Sequence, residues 1–316
     1  MIVALTTGPH RYTFKSFQSE RRVRLRVVAY ERALLTSRLP RATYLFTDFD
    51  RLDHHALELA AHLYQSIVRQ GGRAINNPAR ARQRFSLLRT LHDRGLNRFN
   101  AWRVEDTPRP DRFPVFLRRE SGHSGVISDL LHDAREVESA ITHAIASGCP
   151  RRELILVEYA AEPSESGWFR KYSAYRVGDR MVPALCVHDT CWVAKLGQEG
   201  VAGEAAYADE LDMIRTNRFA NQIRPSFEAA DLEFGRADFG IVGGSPQVYE
   251  INTNPTIKRL RQHPYTIRLE SARAAEEQLV DALVAIDSPR GRPFTLDDEL
   301  LARHRRRARW LPFLPI

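Results

Sequence analysis

Cysteine is scarce in this chain of 316 residues, which contains three, at Cys149, Cys186 and Cys191. An odd and small number of cysteines argues against the disulfide framework of a small secreted domain. The first residues, Met1 to Leu5, are apolar but too few for the hydrophobic region of a secretory signal, and they predict a buried first strand instead. These absences together predict a cytoplasmic protein with reduced thiols.

Long apolar runs are also missing. No stretch approaches the roughly 18 apolar residues that a transmembrane helix requires, so no membrane association is predicted. Hydrophobic residues make up 43% of the chain and charged residues 27%, a composition that is typical of globular domains and argues against disorder. The length is sufficient for two or three subdomains with substantial cores.

Lysine is the third scarce residue, because the chain has Lys15, Lys171, Lys195 and Lys258 against 43 arginines. The net charge of +8 is uneven, with +12 over residues 1–120 and −7 over residues 121–285. The basic N-terminal part and the arginine clusters at 21–26 and 303–309 could attract nucleic acid or an anionic substrate. No aromatic–basic motif of an RNA-binding module accompanies them, so a solvated basic surface is the simpler interpretation.

Spacing disfavours three other functional classes. Cys186 and His188 are zinc-ligand types, but they alternate on one predicted strand and no second pair stands at zinc-finger spacing, which favours core residues. The glycines of Gly122-His123-Ser124-Gly125 are one position too close for a hydrolase nucleophile elbow. The glycines between 240 and 244 precede a turn rather than a helix, unlike those of a dinucleotide-binding fingerprint.

Alternating strand and helix patterns predict an α/β (α+β) fold that begins with an open α/β domain. Strand patterns at 2–5 and 43–47 alternate with helical patterns at 21–37 and 54–69. Further helices are predicted over 79–93, with Pro78 near its first turn, and near 266–285. The tail after Ser288 is predicted to be an extended arm, packed on the body or partly loose. The predicted division is an α/β domain at 1–78, two α+β subdomains at 79–165 and 166–287, and a basic tail at 288–316.

The most informative segment lies near the C-terminus. Residues 237–242 and 247–251 are apolar-rich and flank a Gly-Gly-Ser-Pro turn, which predicts an antiparallel hairpin. Glu250 and Asn252 are two residues apart and share one face, and Asp238 can face them from the partner strand. Two carboxylates and an amide suit a hard divalent cation such as Mg²⁺. Because the carboxylates repel each other without a cation, loss of Glu250 is expected to leave the metal-free protein no less stable.

Segments upstream of this hairpin stand in a distinctive order. They are Asn76-Asn77-Pro78 before a predicted helix, the strand 113–118, the loop Gly122-His123-Ser124-Gly125, and the apolar strand 154–159. With Arg236 before Asp238 and Pro255 after Asn252, this order resembles the ATP-grasp superfamily over most of the chain. The similarity is to its D-alanine–D-alanine ligases, ribosomal-protein glutamate-adding ligases and glutathione synthetase-like enzymes. It implies an ATP-grasp fold, in which two α+β subdomains clasp ATP.

The resemblance also implies an activity and its cofactors. Members of this kind are ATP-dependent carboxylate–amine (or carboxylate–thiol) ligases that work through an acylphosphate, with two Mg²⁺ ions that Mn²⁺ can replace. The implied metal ligands are Asp238, Glu250 and Asn252, and Arg236 is the implied stabiliser of the transferring group. The implied ATP-binding residues are Arg84, Arg118, Gly122, His123, Ser124, Gly125, Glu158, Tyr159 and either Glu162 or Glu165, between which the spacing does not choose.

Two positions depart from the family pattern. The family usually has lysines on the ATP phosphates where this chain has Arg84 and Arg118. Arginine keeps the charge and can bind phosphate in bidentate fashion, but it is a planar fork rather than a compact point charge. Lys171 and Lys195, between the apolar strand and the hairpin, are further candidates for phosphate or acylphosphate contact, with simple surface lysines as the equal alternative.

Two other functions remain open from the sequence. A phosphotransferase on the same scaffold would use the same hairpin and stop after phosphoryl transfer, and a non-catalytic nucleotide-binding module would explain the two arginine departures. For the ligase, the implied partners are a small-molecule or peptide carboxylate and an amine or thiol acceptor, with a homo-oligomer possible. The sequence does not identify either substrate.

Overall fold

The structure is a computed structural model that describes residues 1–18, 20–122, 125–195, 197–257, 259–289 and 291–310. The strands are β1 Ile2–Thr6, β2 Leu25–Ala29, β3 Arg38–Leu39, β4 Thr43–Phe46, β5 Ala74–Ile75, β6 Ala101–Arg103, β7 Val115–Arg119, β8 Leu154–Glu158, β9 Phe169–Val177, β10 Arg180–Pro183, β11 Val187–Asp189, β12 Phe234–Val242, β13 Ser245–Asn252 and β14 Phe294–Thr295. The α-helices are α1 Lys15–Gln18, α2 Tyr30–Leu35, α3 His54–Arg69, α4 Arg84–Asp93, α5 Ala134–Ala146, α6 Glu204–Thr216, α7 Ala220–Ala229, α8 Thr266–Ala285 and α9 Glu299–Trp310. These elements confirm the predicted α/β class. Within the described ranges, no helix is long and apolar enough to cross a membrane.

The N-terminal part contains a parallel sheet in the order β2-β1-β4-β5. Side chains of β1 are buried on both faces, because Ile2 and Ala4 enter one hydrophobic core while Val3 and Leu5 enter another. A continuous apolar strand of this kind is typical of a parallel sheet that is covered on both sides. The carboxyl ends of β1 and β4 are neighbours at one edge of the sheet, and this edge faces the candidate site.

Residues 21–37, predicted as one helix, are divided between a strand and a helix. Leu25–Ala29 forms β2, paired in parallel with β1, and the helix begins only at Tyr30. The apolar residues do recur at helical spacing, but the prediction of one continuous helix is wrong. The backbone of 25–29 is extended because it pairs in parallel with β1. This is a tertiary effect that outweighs local periodicity.

The central part has a three-stranded antiparallel sheet in the order β6-β8-β7. Alternate residues of β8 enter two different cores. Leu154 and Leu156 pack with α5 residues such as Val137, whereas Ile155 and Val157 pack in the core that includes Leu88 of α4. The period of two along the strand therefore places α5 and α4 on opposite faces of this sheet.

The C-terminal part contains the antiparallel sheet β10-β9-β12-β13, with β11 paired to β9. Its hairpin β12–β13 is the one that the sequence predicts, and its turn lies at Gly243-Gly244. Helix α8, which matches the predicted helix near 266–285, packs against β9, β10 and α6. The sheet therefore has one face covered by helices, and its other face is available to a cavity.

The helix predicted over 79–93 begins later than expected, at Arg84. Asn76 is buried in a left-handed conformation with φ of 65°. Its side-chain Oδ1 accepts from the N–H groups of Glu233 and Phe234, both at 2.9 Å, and its Nδ2 donates to the carbonyl oxygen of Phe46 at 3.1 Å. The Asn76-Asn77-Pro78 segment therefore joins β4 to the entry of the hairpin and does not start the helix.

The tail after Ser288 is more regular than the predicted extended arm. Phe294–Thr295 forms β14, which pairs with β3, and Glu299–Trp310 forms α9, which packs against α2 and α3. Phe294, Leu296 and Leu301 are buried in the main core. These three apolar side chains hold the segment against the N-terminal part of the protein. The high arginine and proline content of the tail made this packing difficult to predict from the sequence.

Candidate functional site

A cavity of about 600 Å³ lies between the central and C-terminal sheets. Strands β7 and β8 contribute one wall, and β9, β12 and β13 contribute the other. The loops that follow β1 and β4 close the end nearest the parallel sheet, with His10, Tyr12, Thr13 and Arg51. A concave site of this size between two sheets is where a small-molecule ligand is expected.

The strand register confirms the predicted arrangement of the hairpin. Asp238 lies opposite Glu250 and Arg236 lies opposite Asn252. The register shifts between Asp238 and Phe239, a local irregularity of the kind that reorients side chains next to functional sites. All four polar side chains line the cavity wall.

Asp238 is almost completely buried and is held by three neighbours. Arg236 donates to both of its oxygens, from Nε to Oδ1 at 2.8 Å and from Nη2 to Oδ2 at 3.2 Å. Ser173 donates to Oδ1 at 3.0 Å, and the Lys171 Nζ lies 3.5 Å from Oδ2. Burial lowers the pKa of Arg236, but Asp238 and Tyr175 outweigh it and raise that pKa above its ordinary value.

Glu250 is held by Arg84 and Arg118. Its Oε2 accepts from Arg84 Nη2 at 2.7 Å and from Arg118 Nη2 at 3.2 Å. Burial lowers the pKa of Arg118, and the neighbouring Arg84 lowers it further, to about 10. Among the described residues, the buried Nε atoms of both arginines have no hydrogen-bond partner. The two guanidinium groups thus converge on one carboxylate, and each retains unused donor capacity.

Arg84 also holds the start of the glycine loop. Its guanidinium donates to the carbonyl oxygens of Arg119 and Gly122, each at 3.2 Å, and to that of Glu120. Arg84 therefore lines a small pocket beside the main cavity, together with Glu250 and Asn252. Helix α4 thereby joins the loop to the hairpin through one side chain.

The glycine loop is described at its two ends. Gly122 and Gly125 have φ values of 84° and 97°, a region that favours glycine, and neither would bring a Cβ within 4 Å of another atom. Gly125 lines the cavity. His123 and Ser124 lie outside the described residues.

Glu158 at the end of β8 and Tyr159 directly after it are two of the implied ATP-binding residues. The Glu158 carboxylate is engaged away from any ligand, because it accepts from the Asn100 N–H at 2.7 Å and from Arg112 Nη2 at 2.6 Å. Both Glu158 and Tyr159 line the cavity. Trp192 packs edge-on against Tyr159 with ring centroids 5.5 Å apart. The backbone N–H groups of Glu158 and Tyr159 donate to the carbonyl oxygens of Asn100 and Pro114, each at 3.0 Å, so neither N–H is free for a ligand.

The remaining predicted site residues differ in whether they line the cavity. Lys171, Lys195 and Glu162 line the cavity, and the Glu162 carboxylate also accepts from the Gly243 N–H at 2.6 Å. Glu165 is exposed in a turn away from the cavity lining. The geometry thus favours Glu162 where the spacing could not choose.

Several cavity residues could not be found from the sequence. Phe116 and Trp192 pack together with ring centroids 4.9 Å apart, and Arg170 reaches the cavity while paired to Asp209. Arg51 comes from a part of the chain that carries no motif. They belong to distant segments and share no spacing, so the tertiary fold alone brings them together.

The hairpin donors fit a hard divalent cation. Asp238 and Glu250 face each other across the strand pair, and Asn252 Oδ1, which accepts from the Asn254 N–H at 2.8 Å, supplies an amide oxygen. An all-oxygen set of this composition suits Mg²⁺. In the part of the chain that the structure describes, no group of three or more His, Cys, Asp or Glu side chains is assembled for a metal. Both carboxylates are ion-paired, so arginine and lysine compete with a cation here.

The arginine-rich segment at 21–26 is partly neutralised. Arg22 is ion-paired with Asp281, and Arg24 is paired with Asp287 at 2.8 Å. Each of these two arginines thus has an acidic partner at the surface.

Comparison with solved structures identifies the fold. The D-alanine–D-alanine ligase from Bacillus anthracis aligns with 97% of this chain and 99% of its own, at 13% identity and a TM-score of 0.51, and the same values hold for that enzyme complexed with ATP. A RimK domain ATP-grasp protein from Sphaerobacter thermophilus aligns with 90% of this chain and 99% of its own, at 16% identity and a TM-score of 0.46. No protein-family model matches the sequence, and no curated protein matches it significantly.

The chain therefore has an ATP-grasp fold, similar to that of the carboxylate–amine ligases. At this identity the likeness defines the fold and leaves the reaction to be argued from the site.

Proposed function

We propose that this protein is an ATP-dependent ligase that joins a carboxylate to an amine or thiol through an acylphosphate. The observation that carries the proposal is the convergence of Asp238, Glu250 and Asn252 on one cavity wall with Arg118 and Arg236 beside them. Negative metal ligands and fixed cations in one partly desolvated cavity are the combination that phosphoryl transfer requires.

Mg²⁺ is the proposed cofactor, held by Asp238, Glu250 and Asn252. When bound, it would neutralise phosphate oxygens and orient the γ-phosphate. The cations that hold the two carboxylates would then gain phosphate oxygens as alternative partners. Arg118 is suited to this exchange, since its guanidinium is buried at the cavity wall and retains a donor without a partner among the described residues.

The proposed reaction has two steps. An oxygen of the substrate carboxylate attacks the γ-phosphorus, the bond to ADP breaks, and an acylphosphate forms. The amine or thiol then attacks the acyl carbon and loses a proton, and inorganic phosphate leaves. Neither step needs a protein nucleophile, so the protein contributes positioning and charge. Arg236, fixed in place by its two bonds to Asp238, would stabilise the negative charge that develops on the transferred group, and Lys171 and Lys195 would contact phosphate or acylphosphate.

The nucleoside is proposed to lie against β8. The backbone carbonyl oxygens of Glu158 and Tyr159 would accept from the adenine amino group. The Glu158 carboxylate is already bonded to Asn100 and Arg112, and the N–H groups of Glu158 and Tyr159 donate to the carbonyl oxygens of Asn100 and Pro114, each at 3.0 Å. Glu162, at the cavity wall, is the proposed acceptor for the ribose hydroxyl groups. The aromatic contact of Phe116 with Trp192 would supply an apolar surface for the base.

Two measurements test this function. Calorimetry with ATP and ADP, with and without Mg²⁺, should detect nucleotide binding that Mg²⁺ strengthens. Incubation with Mg-ATP, candidate carboxylic acids and hydroxylamine should release ADP and give a hydroxamate, because hydroxylamine captures an acylphosphate. The Glu250→Gln variant should lose both products, whereas Glu165→Gln, which removes an exposed carboxylate outside the cavity, should retain them.

The outcomes separate the alternatives. Absence of nucleotide binding at millimolar concentration would refute both the ligase and the phosphotransferase. ADP release with phosphate transferred to a hydroxyl group, and no hydroxamate, would identify a phosphotransferase. Tight nucleotide binding without any ADP release would favour the binding module.

A further inference from the structure

The end of the cavity next to the parallel sheet has polar groups that the proposed reaction does not use. Strands β1 and β4 end side by side, and the loops that follow them carry His10 and Arg51 to the cavity wall. In open α/β sheets, ligands bind beyond the carboxyl ends of the strands. These two side chains therefore lie at the edge of the sheet where a ligand is expected to bind.

Asp48 fixes this end of the cavity. It is fully buried, has a left-handed φ of 66°, and its Oδ2 accepts from the Thr7 N–H at 2.9 Å. Its other oxygen is ion-paired with Arg51 Nη1. Its own N–H donates to Thr253 Oγ1 at 3.0 Å, directly after the metal-binding end of β13. Asp48 thus positions Arg51 and joins its loop to the hairpin.

Donors of Arg51 and His10 remain available. Arg51 uses Nη1 for Asp48, and its Nε and Nη2 have no hydrogen-bond partner among the described residues. The Thr7 hydroxyl donates to Asp48, so at 2.8 Å it accepts from His10 Nδ1. His10 Nε2 has no partner in the described part of the chain, and it donates to a ligand in the imidazolium form of the ring. Two Arg51 nitrogens in fork geometry match an acidic oxygen pair.

Asn254 adds a buried amide to the same end. It is 3% exposed, lines the cavity, and its Nδ2 has no partner among the described residues. Thr13 Oγ1 lies 2.6 Å from Asn254 Oδ1, a length typical of an O–H···O rather than an N–H···O hydrogen bond, which supports the assignment of the unpaired atom as Nδ2. Buried donors are rarely left unpaired in folded proteins, so this amide points to a ligand.

The charge balance at this end favours an anion. The acidic side chains Asp238 and Glu250 are already matched by their own cations, as described above. Arg51 is paired through Nη1 with Asp48 and, at 3.8 Å, with Asp50, and neither carboxylate belongs to the cavity lining. A ligand group that accepts from Arg51, His10 and Asn254 together would be negatively charged and would carry at least two oxygen acceptors.

We propose that Arg51, His10 and Asn254 form a subsite for a second carboxylate of the acid substrate, so that the acid that is activated is a dicarboxylate. The proposal rests on the proposed function for the identity of the first carboxylate, which would react beside Arg236. It makes Arg51 and Asn254 specificity-determining residues for the acid.

The test compares matched acids on the full-length protein. Succinate, glutarate and adipate are titrated by calorimetry against butyrate, valerate and hexanoate, which have the same chain lengths but one carboxylate. Each titration is made with and without saturating Mg-ADP. At least one diacid should bind about tenfold or more tightly than its monoacid, the effect expected of a charge-assisted contact. Equal affinities within all three pairs would overturn the proposal.

Variants assign the effect to the subsite. Arg51→Lys keeps a cation on Asp48 but removes the fork, and Asn254→Ala removes the amide while Thr13 can donate to the His10 carbonyl at 3.0 Å. Both should lower the diacid preference at least threefold or so, as loss of one hydrogen bond predicts, with monoacid and Mg-ADP affinities unchanged. Arg11→Lys, in the same loop but exposed and outside the cavity lining, is the control and should change nothing.

The controls also separate this proposal from the proposed function. Mg-ADP affinity is measured in the same experiment, so failure of nucleotide binding would refute the function, while the diacid titration on the nucleotide-free protein still tests the subsite. A diacid preference that persists in both Arg51→Lys and Asn254→Ala would place the second carboxylate elsewhere and refute the subsite. If phosphate binds in preference to every diacid and Arg51→Lys abolishes that binding, the subsite recognises a phosphate group and the dicarboxylate assignment is wrong.

Discussion

The Glu250→Gln substitution should destabilise the metal-free protein, which is the reverse of the expectation from the sequence. Two arginines donate to the Glu250 Oε2, at 2.7 and 3.2 Å, and their side chains are 8% and 13% exposed. Glutamine keeps the size of the side chain but removes its charge. Arg84 and Arg118 would then be two nearly buried cations that have lost the carboxylate they share.

The magnitude follows from burial. Breaking a fully buried ion pair by removing one partner costs about 3–5 kcal/mol, whereas an exposed pair contributes about 0–1 kcal/mol. The Glu250 side chain is 22% exposed, so the pair lies between these limits, and relief of the repulsion with Asp238 offsets part of the loss. We expect a decrease of about 2 kcal/mol in the free energy of unfolding, on the scale of a charge-assisted hydrogen bond.

The assay is equilibrium urea unfolding in the presence of a chelator, analysed by linear extrapolation. Glu165→Gln is the matched control, since it removes the same charge from an exposed turn. A double-mutant cycle with Arg118→Met then measures the coupling between the two side chains. A change below about 0.5 kcal/mol for Glu250→Gln, the size of an ordinary surface substitution, would refute the reasoning and restore the expectation of carboxylate repulsion.

Three further predictions follow from other parts of the structure. His188 is 5% exposed, and burial, followed by the charges of Arg170 and Arg268, lowers its pKa to about 4. In the unfolded chain this histidine takes up its proton near pH 6.5, so its contribution to stability should be complete above that pH and should fall by roughly 3 kcal/mol between pH 6.5 and 4. His188→Phe should reduce this loss in acid unfolding curves. Arg118→Ala should weaken Mg-ATP binding about tenfold to a hundredfold in calorimetry, and Arg118→Lys should recover part of it because the charge is retained. Phe294→Ala should lower the free energy of unfolding by roughly 3 kcal/mol, because this buried ring packs near Tyr44 at 6.2 Å between centroids and fixes the C-terminal segment.

Each of these predictions has a control. For the pH dependence, His143→Gln replaces an exposed histidine of α5 and should leave the acid unfolding curve unchanged. For nucleotide affinity, unaltered ATP binding in Arg118→Ala would direct attention to Lys171 and Lys195 as the phosphate contacts. For the tail, a Phe294→Ala protein as stable as the parent would mean that β14 and α9 contribute little to the folded core.

Local chemistry in the sequence was enough to predict the hairpin. A Gly-Gly turn between apolar strands predicts the antiparallel hairpin, and the period of two places Glu250 and Asn252 on one face. The register next to the turn, with Val242 opposite Ser245, would place Asp238 opposite Tyr249, and the shift between Asp238 and Phe239 is what brings Asp238 opposite Glu250. The long helix α8 was equally clear, because its apolar positions face the sheet and no glycine or proline interrupts it. Where a segment is long and its pattern agrees with its surroundings, local and tertiary preferences coincide.

Short segments were decided by their partners. Residues 25–29 form a strand because β1 pairs with them, although their apolar spacing is compatible with a helix. Asn76 does not begin a helix. Its side-chain oxygen accepts from the backbone N–H groups of Glu233 and Phe234, where the first strand of the hairpin begins. In both places a distant partner supplies the hydrogen bonds, and such a partner cannot be identified from the local sequence.

The sequence by itself predicted the hairpin and the shared face of Glu250 and Asn252, which follow from turn chemistry and the period of two. Only the tertiary structure decided that two arginines meet on Glu250, that Glu162 rather than Glu165 reaches the cavity, and that Arg51 closes its far end. The physical reason is that spacing along a strand or helix fixes geometry over a few residues, whereas ion pairs and cavity walls join side chains more than a hundred residues apart. Their position depends on how the three sheets pack, which no single segment specifies.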